Sequence, residues 1–212
     1  METGAEPVPM AVAVVGYNTR DDLRACLESV RSEAPGEVIV ADNGSTDGSV
    51  AMVRSGFPEV RLLVDESNPG YGAAANRAVA AAACPYVLLL NADTRVTPGT
   101  LRALAAYLDE HPRAGVVGPR LVNPDGTLQV SCFPFIGTLR LMLEKTPAAR
   151  WLARVPVLRD RWLLSHSLHD RPRVVPWVLG AALALRREAF ETIGGFDTSF
   201  FMYSEEIDLC WR

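Results

Sequence analysis

The sequence predicts an α/β fold, an open and mostly parallel sheet flanked by helices. Two observations predict it. Four short apolar runs alternate with helical-period segments up to His111, an order that builds right-handed parallel crossovers. Polar clusters rich in Asp, Asn and Gly follow directly after the first, second and fourth runs. Open α/β sheets bind their ligands at such strand carboxyl ends.

The elements follow in order. Ala11–Val15 is continuously apolar and ends in Gly16-Tyr17-Asn18, so it reads as a strand buried on both faces. Leu23, Cys26, Leu27 and Val30 recur at helical spacing, with Thr19 and Asp21-Asp22 as start signals. Glu37–Asp42 is a second strand, and Asp47-Gly48-Ser49 opens a short helix through Val53. Val60–Val64 is a third strand, and the Ala-rich stretch Gly70–Ala83 is helical. Tyr86–Leu90 is a fourth strand. Thr97–His111 is a helix with Pro98 in its first turn, where a missing N–H costs little.

The second half changes character. Gly115–Val122 reads as a strand, and Asn123-Pro124-Asp125-Gly126 as a turn. Thr138–His169 mixes Leu, Arg and Trp in short helical stretches broken by Pro147 and Pro156. Trp177–Leu185 reads as one strand and Arg187–Ile193 as a helix. Three acids, Glu205, Glu206 and Asp208, then follow a Gly194-Gly195 turn and the aromatic patch Phe200–Tyr203.

Composition narrows the function. The chain has 212 residues and a net charge of -4, with a pI near 5.4. A nucleic-acid binder usually carries a basic face, so that partner is not expected. The four cysteines form no Cys-x-x-Cys pair, which argues against a zinc ribbon and for reduced thiols in a cytosol. Met1–Pro9 reads as a loose acidic tail rather than a signal sequence. No apolar run approaches the ~18 residues of a membrane span. The stretch Arg140–Arg173 carries eight Lys/Arg against three acids. It suits either a membrane-surface contact or a solvated insertion. His111, His166 and His169 lack metal-ligand spacing and read as solvated surface.

Four clusters carry chemistry. Asp42–Ser49 suits a turn and helix cap, but a carboxylate at a strand end can also accept the N3–H of a pyrimidine base. Gly70 and Gly72 suit either close helix–sheet packing or a helix N-terminus whose amides face a nucleotide. Asn91-Ala92-Asp93 puts a carboxylate at a strand tip, where a hard divalent cation such as Mg²⁺ or Mn²⁺ could share it with substrate phosphate. Glu205, Glu206 and Asp208 suit the helix dipole. The apolar neighbours, Tyr203 among them, would also raise a carboxyl pKa and give a sugar a surface to stack on. Trp177 and Gly180-Ala181-Ala182 would add a wall and a small-residue floor.

With these segments aligned, the chain resembles the family 2 glycosyltransferases of the GT-A fold, and most closely their rhamnosyltransferase branch. The likeness rests on Val15–Asn18, Asp42–Ser49, Asn68–Asn76, Asn91–Thr94, Gly194–Asp197 and Glu205–Leu209. It implies a tail over 1–10, a nucleotide-sugar-binding half over 11–122, and an acceptor-binding half over 123–212 with a helical insertion. It implies that Tyr17, Asn18 and Asp42 hold the nucleotide, with Gly70, Gly72, Asn76, Asn91 and Ala92 lining the same site. Asp93 would bind Mg²⁺ or Mn²⁺. Glu206, or Glu205 beside it, would be the catalytic base, with Trp177, Gly180, Tyr203 and Asp208 on the acceptor side. Asn91 replaces the first acid of the family's Asp-x-Asp motif, and Glu206 stands where the family usually has Asp. The family usually continues past this acidic helix, so the chain is expected to be C-terminally short.

The activity implied is inverting, metal-dependent transfer of a sugar, rhamnose by family likeness. The donor would be a dTDP- or UDP-linked sugar and the acceptor a cell-surface glycan or polyprenyl-linked glycan. The expected location is the cytoplasm, peripheral at the inner face of the plasma membrane. A truncated, non-catalytic nucleotide-sugar binder is the alternative. A nucleotidyltransferase would need a Gly-rich loop with Arg and Lys after the first strand, where this chain has Gly16-Tyr17-Asn18-Thr19. A nicotinamide dehydrogenase would need Gly-x-Gly-x-x-Gly there.

Overall fold

The computed structural model describes residues 6–133, 135 and 169–212. Its centre is a six-stranded sheet in the order β3-β2-β1-β4-β10-β5. The strands are β1 (Val8–Gly16), β2 (Pro35–Asp42), β3 (Arg61–Val64), β4 (Tyr86–Asn91), β5 (Val116–Val117) and β10 (Ala182–Arg186). The pairs β1–β2, β2–β3 and β1–β4 are parallel, while β10 runs antiparallel to both β4 and β5. Two small antiparallel pairs stand outside this sheet. β6 (Leu121–Val122) pairs with β7 (Leu128–Gln129), and β8 (Cys132–Phe133) with β9 (Trp177–Val178).

The helices are α1 (Arg20–Arg31), α2 (Ser49–Gly56), α3 (Tyr71–Ala81), α4 (Thr100–Glu110), α5 (Arg187–Thr192) and α6 (Glu205–Trp211). They cover two faces. Met10, Val12 and Val14 of β1 point to one apolar layer with Leu23, Leu27 and Leu101. Ala11, Ala13 and Val15 point to the other, with Ala74, Ala78 and Phe196. Alternate residues of one strand thus feed two cores, which explains a run with no polar alternation. The small Ala side chains of α3 let that helix sit close on the sheet. No helix among the described residues is long and apolar enough to cross a membrane.

Three strand expectations change. β1 opens at Val8, and Met10 is fully buried, so the sheet takes in residues assigned to a tail over 1–10. Gly115–Val122 divides into β5 and β6, which join different sheets. Trp177–Leu185 divides into β9 and β10 around a turn at Gly180-Ala181. The expected helical insertion over 138–168 lies outside the described residues.

His169 is not the solvated residue its sequence context suggests. Its Nε2 accepts the Ser131 amide at 3.1 Å and lies 3.5 Å from Cys132 Sγ. Cys26, Cys84, Cys132 and Cys210 are all free thiols.

Candidate active site at the carboxyl edge of the sheet

The parallel register sets the site. Gly16 pairs with Asp42 and Val15 with Asn91, so the ends of β2, β1 and β4 lie in one row. The chain leaves β1 toward β2 on one side and β4 joins from the other, which makes β1–β4 the switch point of the sheet. Two strand spacings of about 4.8 Å put β2 and β4 roughly 10 Å apart.

Asp42 is buried at the tip of β2. Its Oδ1 accepts the amides of Gly44 at 3.0 Å and Ser45 at 2.7 Å. Its Oδ2 is buried and accepts nothing among the described residues. The first oxygen therefore shapes the loop, and the second remains to receive a donor. Asn18, held at φ 53, cross-links the β1 and β2 loops. Its amide donates to Ser45 Oγ at 2.8 Å, and its Oδ1 accepts the Thr46 amide at 2.8 Å. Tyr17 beside it is half-exposed.

Asn43 carries the loop over to α3. Its Nδ2 donates to the Gly70 carbonyl at 3.1 Å, and its Oδ1 faces Arg77 at 3.4 Å. Arg77 also forms an ion pair with Asp65. Neither Asn43 nor Arg77 stands out in the sequence as a functional residue. The signal that could have found them is their place inside the two motifs that flank the cleft.

At the tip of β4, Asn91 is half-buried, Ala92 is buried and Asp93 is exposed. Asp93 makes no side-chain hydrogen bond or ion pair among the described residues. No group of three or more His, Cys, Asp or Glu side chains among those residues could hold a metal by itself. A lone exposed carboxylate still fits Mg²⁺ or Mn²⁺, because such ions are often held by one or two carboxylates with substrate phosphate supplying other oxygens. Beneath this loop, the buried Cys26 thiol is pushed up to about 12, chiefly by burial. It stays protonated and its Sγ lies 4.0 Å from the Asn91 carbonyl oxygen, to which it donates.

The acidic helix closes the row. Glu205 and Glu206 are both buried, at 5% and 8% exposure. Oε2 of each is buried and accepts no hydrogen bond among the described residues. Burial pushes the Glu205 carboxyl above its ordinary value of 4.5, and the charge of Glu206 adds to the shift. Glu206 stands over the Gly180-Ala181 turn. A methyl built on Gly180 would meet its Oε1 at 3.6 Å. The Ala181 carbonyl accepts the Asn91 amide at 3.1 Å and the Thr94 hydroxyl at 3.3 Å. The turn that carries Gly180 is thus bonded to the loop that carries Asp93.

Several expected ligand-binding residues have other partners. Asn76 clamps the Phe196 backbone, donating from Nδ2 to its carbonyl and accepting its amide at Oδ1, both at 2.9 Å. Both polar atoms of its amide are thus engaged by the turn that ends the Gly194-Gly195 segment. Gly72 packs on Phe196, where a Cβ would stand 3.1 Å from Phe196 Cβ. Gly70, at φ 90, lies under Phe201, and the Tyr71 amide donates to the Phe201 carbonyl at 3.0 Å. The first turn of α3 therefore seats the segment entering α6, so its leading amide is not turned to a nucleotide. Asp208 pairs with Arg212 at 2.7 Å. Arg212 in turn donates to the Ile193 and Gly195 carbonyls, so Asp208 locks α6 to the Gly-Gly turn. Trp177 stacks on Phe133 with centroids 4.4 Å apart. Tyr203 is largely exposed, with φ 67. It precedes the N-terminus of α6, two residues before Glu205.

A cavity of about 1250 Å³ lies elsewhere, between the end of α4, β5 and residues 169–178. None of Asp42, Asp93, Glu205 or Glu206 lines it.

Residues 11–208 match the family described as Glycosyl transferase family 2. The chain is 34% identical over 216 residues to the N-acetylglucosaminyl-diphospho-decaprenol L-rhamnosyltransferase of Mycobacterium tuberculosis, covering 94% of this chain and 68% of that protein. Among solved structures it is similar to the mannosyltransferase PcManGT from Pyrobaculum calidifontis, in complex with GDP-Man and Mn²⁺. The TM-score is 0.63 at 21% identity, over 97% of this chain and 53% of the other. It is similar as well to S. aureus TarS 1-349 in complex with UDP, with a TM-score of 0.61 at 20% identity, over 95% of this chain and 53% of the other. The chain spans about half the length of these solved structures. The likeness shows the fold, the mixed and mostly parallel GT-A sheet flanked by helices.

Proposed function

The chain belongs to glycosyl transferase family 2, and from that premise we propose that it transfers a sugar from a nucleoside diphosphate to a hydroxyl of a lipid-linked or cell-surface glycan, with inversion. The observation that carries the reading is the pair of buried acids, Glu205 and Glu206, standing over a turn bonded to the Asn91–Thr94 loop.

In this mechanism Asp42 Oδ2 accepts the N3–H of the uracil or thymine base, and Tyr17 and Asn18 line the nucleotide. Asp93, with Asn91 nearby, would hold Mg²⁺ or Mn²⁺, which would supply positive charge against the diphosphate. Glu206 removes the proton from the acceptor hydroxyl. The oxygen bonds to the anomeric carbon, the bond from that carbon to phosphate oxygen breaks, and its electron pair leaves with the nucleoside diphosphate. Glu206 is assigned as the base because its carboxylate stands against the Gly180-Ala181 turn, which is itself bonded to the Asn91–Thr94 loop. A base of this kind contributes about 10²–10⁴-fold.

The acceptor proposal draws on the mycobacterial relative, whose name specifies a diphospho-decaprenol acceptor and a rhamnose donor. The exposed side chains of Phe201, Met202 and Tyr203 stand two to five residues before the two acids and offer an apolar rim to such an acceptor. Peripheral contact with the inner face of a plasma membrane follows from a lipid-linked acceptor. The test is transfer from dTDP-rhamnose and UDP-sugars to a polyprenyl-diphosphate glycan with Mg²⁺ or Mn²⁺. Donor binding without any transfer would leave only a binding role.

A further inference from the structure

We propose that Tyr71 is a positioning residue, holding Glu206 and the Asn91–Thr94 loop at a fixed separation through the Gly180-Ala181 turn. The inference rests on the transfer reaction proposed above, but its geometry does not.

Tyr71 sits at a junction of three segments. Its hydroxyl donates to the Gly180 carbonyl at 3.2 Å, across 109 residues of sequence. Its backbone amide donates to the Phe201 carbonyl at 3.0 Å, four residues before Glu205. Its ring meets Phe196 edge-on at 6.0 Å, so the hydroxyl is carried on a braced ring.

The Gly180-Ala181 turn is gripped from two sides. The Gly180 carbonyl is held by Tyr71, and the next carbonyl, Ala181, is held by the Asn91 amide and the Thr94 hydroxyl. Consecutive carbonyls of one turn thus connect α3 to the loop after β4. Glu206 rests against that same turn at Gly180. Moving the turn therefore moves the base relative to Asp93. Burial, and then the charges of Glu205 and Glu206, push the Tyr71 hydroxyl upward, so it remains a donor across the working range.

Tyr71→Phe isolates the hydroxyl, since the ring and its contact with Phe196 remain. The expected result is a fall in kcat of about fivefold, the size of one neutral hydrogen bond, with the donor KM unchanged. Amide hydrogen exchange should quicken at Asn91 and in the first turn of α6, while the melting temperature stays near that of the parent. Unchanged kcat with unchanged exchange would overturn the proposal. So would a fall in kcat matched by an equal loss of folded protein. If the parent chain transfers no sugar, the reaction proposed above fails on its own. The exchange measurement then decides the positioning role, with faster Asn91 exchange supporting it and unaltered exchange overturning it.

Discussion

Glu206 and Gly180 face each other with no side chain between them. A methyl on Gly180 would lie 3.6 Å from Glu206 Oε1 and 3.8 Å from Glu206 Cβ, ordinary contact distances. Gly180 is absent from the positive-φ glycines, so alanine meets no backbone strain there. Gly180→Ala should therefore fold normally and still impair the reaction. The added methyl covers the carboxylate where an acceptor hydroxyl would approach. A loss of about ten- to a hundredfold in kcat/KM is expected, in line with the cost of small misplacements at a reacting centre. Steady-state assays beside a thermal melt would separate the two effects.

The two acids should respond differently to neutralisation. Glu206→Gln is expected to lose about 10²–10⁴-fold in kcat while keeping donor affinity. Glu205→Gln should lose far less. Equal losses in the two variants, measured with one donor and one acceptor, would remove the assignment of the base.

Glu205 also predicts a pH dependence. Its folded pKa is raised above the ordinary 4.5, mainly by burial. The folded state therefore binds the proton more tightly than the unfolded chain. That contribution is fully present below about pH 4.5 and is lost as pH rises through the higher folded value. Glu205→Gln removes the buried charge, so the variant should melt higher than the parent at pH 8. The difference should shrink as pH falls toward 4.5. Thermal melts at several pH values, compared between the two proteins, test the sign.

Gly70 tests the seat of the acidic segment. It has φ 90, and a Cβ there would stand 3.0 Å from Phe201 Cα and nearer still to its carbonyl. Gly70→Ala combines the strain of a positive-φ, extended backbone (ψ 173), ~1–3 kcal/mol, with a collision against backbone. Gly126 has φ 83 and nothing within 4 Å of an added Cβ, so Gly126→Ala carries strain alone. Denaturant unfolding should show a clearly larger loss for Gly70→Ala, and activity should survive only in Gly126→Ala.

The parts of this architecture visible in the sequence are those written in contiguous residues. Ala11–Val15 and Tyr86–Leu90 are apolar without alternation because each is covered on both faces. Asp42 and Asp93 were legible as strand-end carboxylates because each follows an apolar run by no more than three positions. The break at Gly180-Ala181 was not legible. Apolar residues flank it on both sides, and periodicity cannot distinguish one buried strand from two that join different sheets. The contact of Asn76 with the Phe196 backbone was hidden for a related reason. Its partner Phe196 is 120 residues away, and a polar side chain beside a Gly-rich turn looks the same whether it faces a ligand or a distant backbone. Asp208 and Arg212 stand four apart, a spacing that offers an ion pair on a helix as readily as a ligand contact.

In the proposed reaction Asp42, Asp93 and Glu206 serve one sugar-nucleotide site. Calorimetric titration of the parent and of Asp42→Asn, Asp93→Asn and Glu206→Gln with a dTDP- or UDP-sugar, with and without Mn²⁺, tests it most directly. The expected pattern is Mn²⁺-enhanced binding in the parent and in Glu206→Gln, loss of the Mn²⁺ enhancement in Asp93→Asn, and affinity weakened about tenfold or more in Asp42→Asn, whose new amide would oppose the base N3–H. Donor binding that ignores Mn²⁺ and is indifferent to both aspartate substitutions would rule out a shared site.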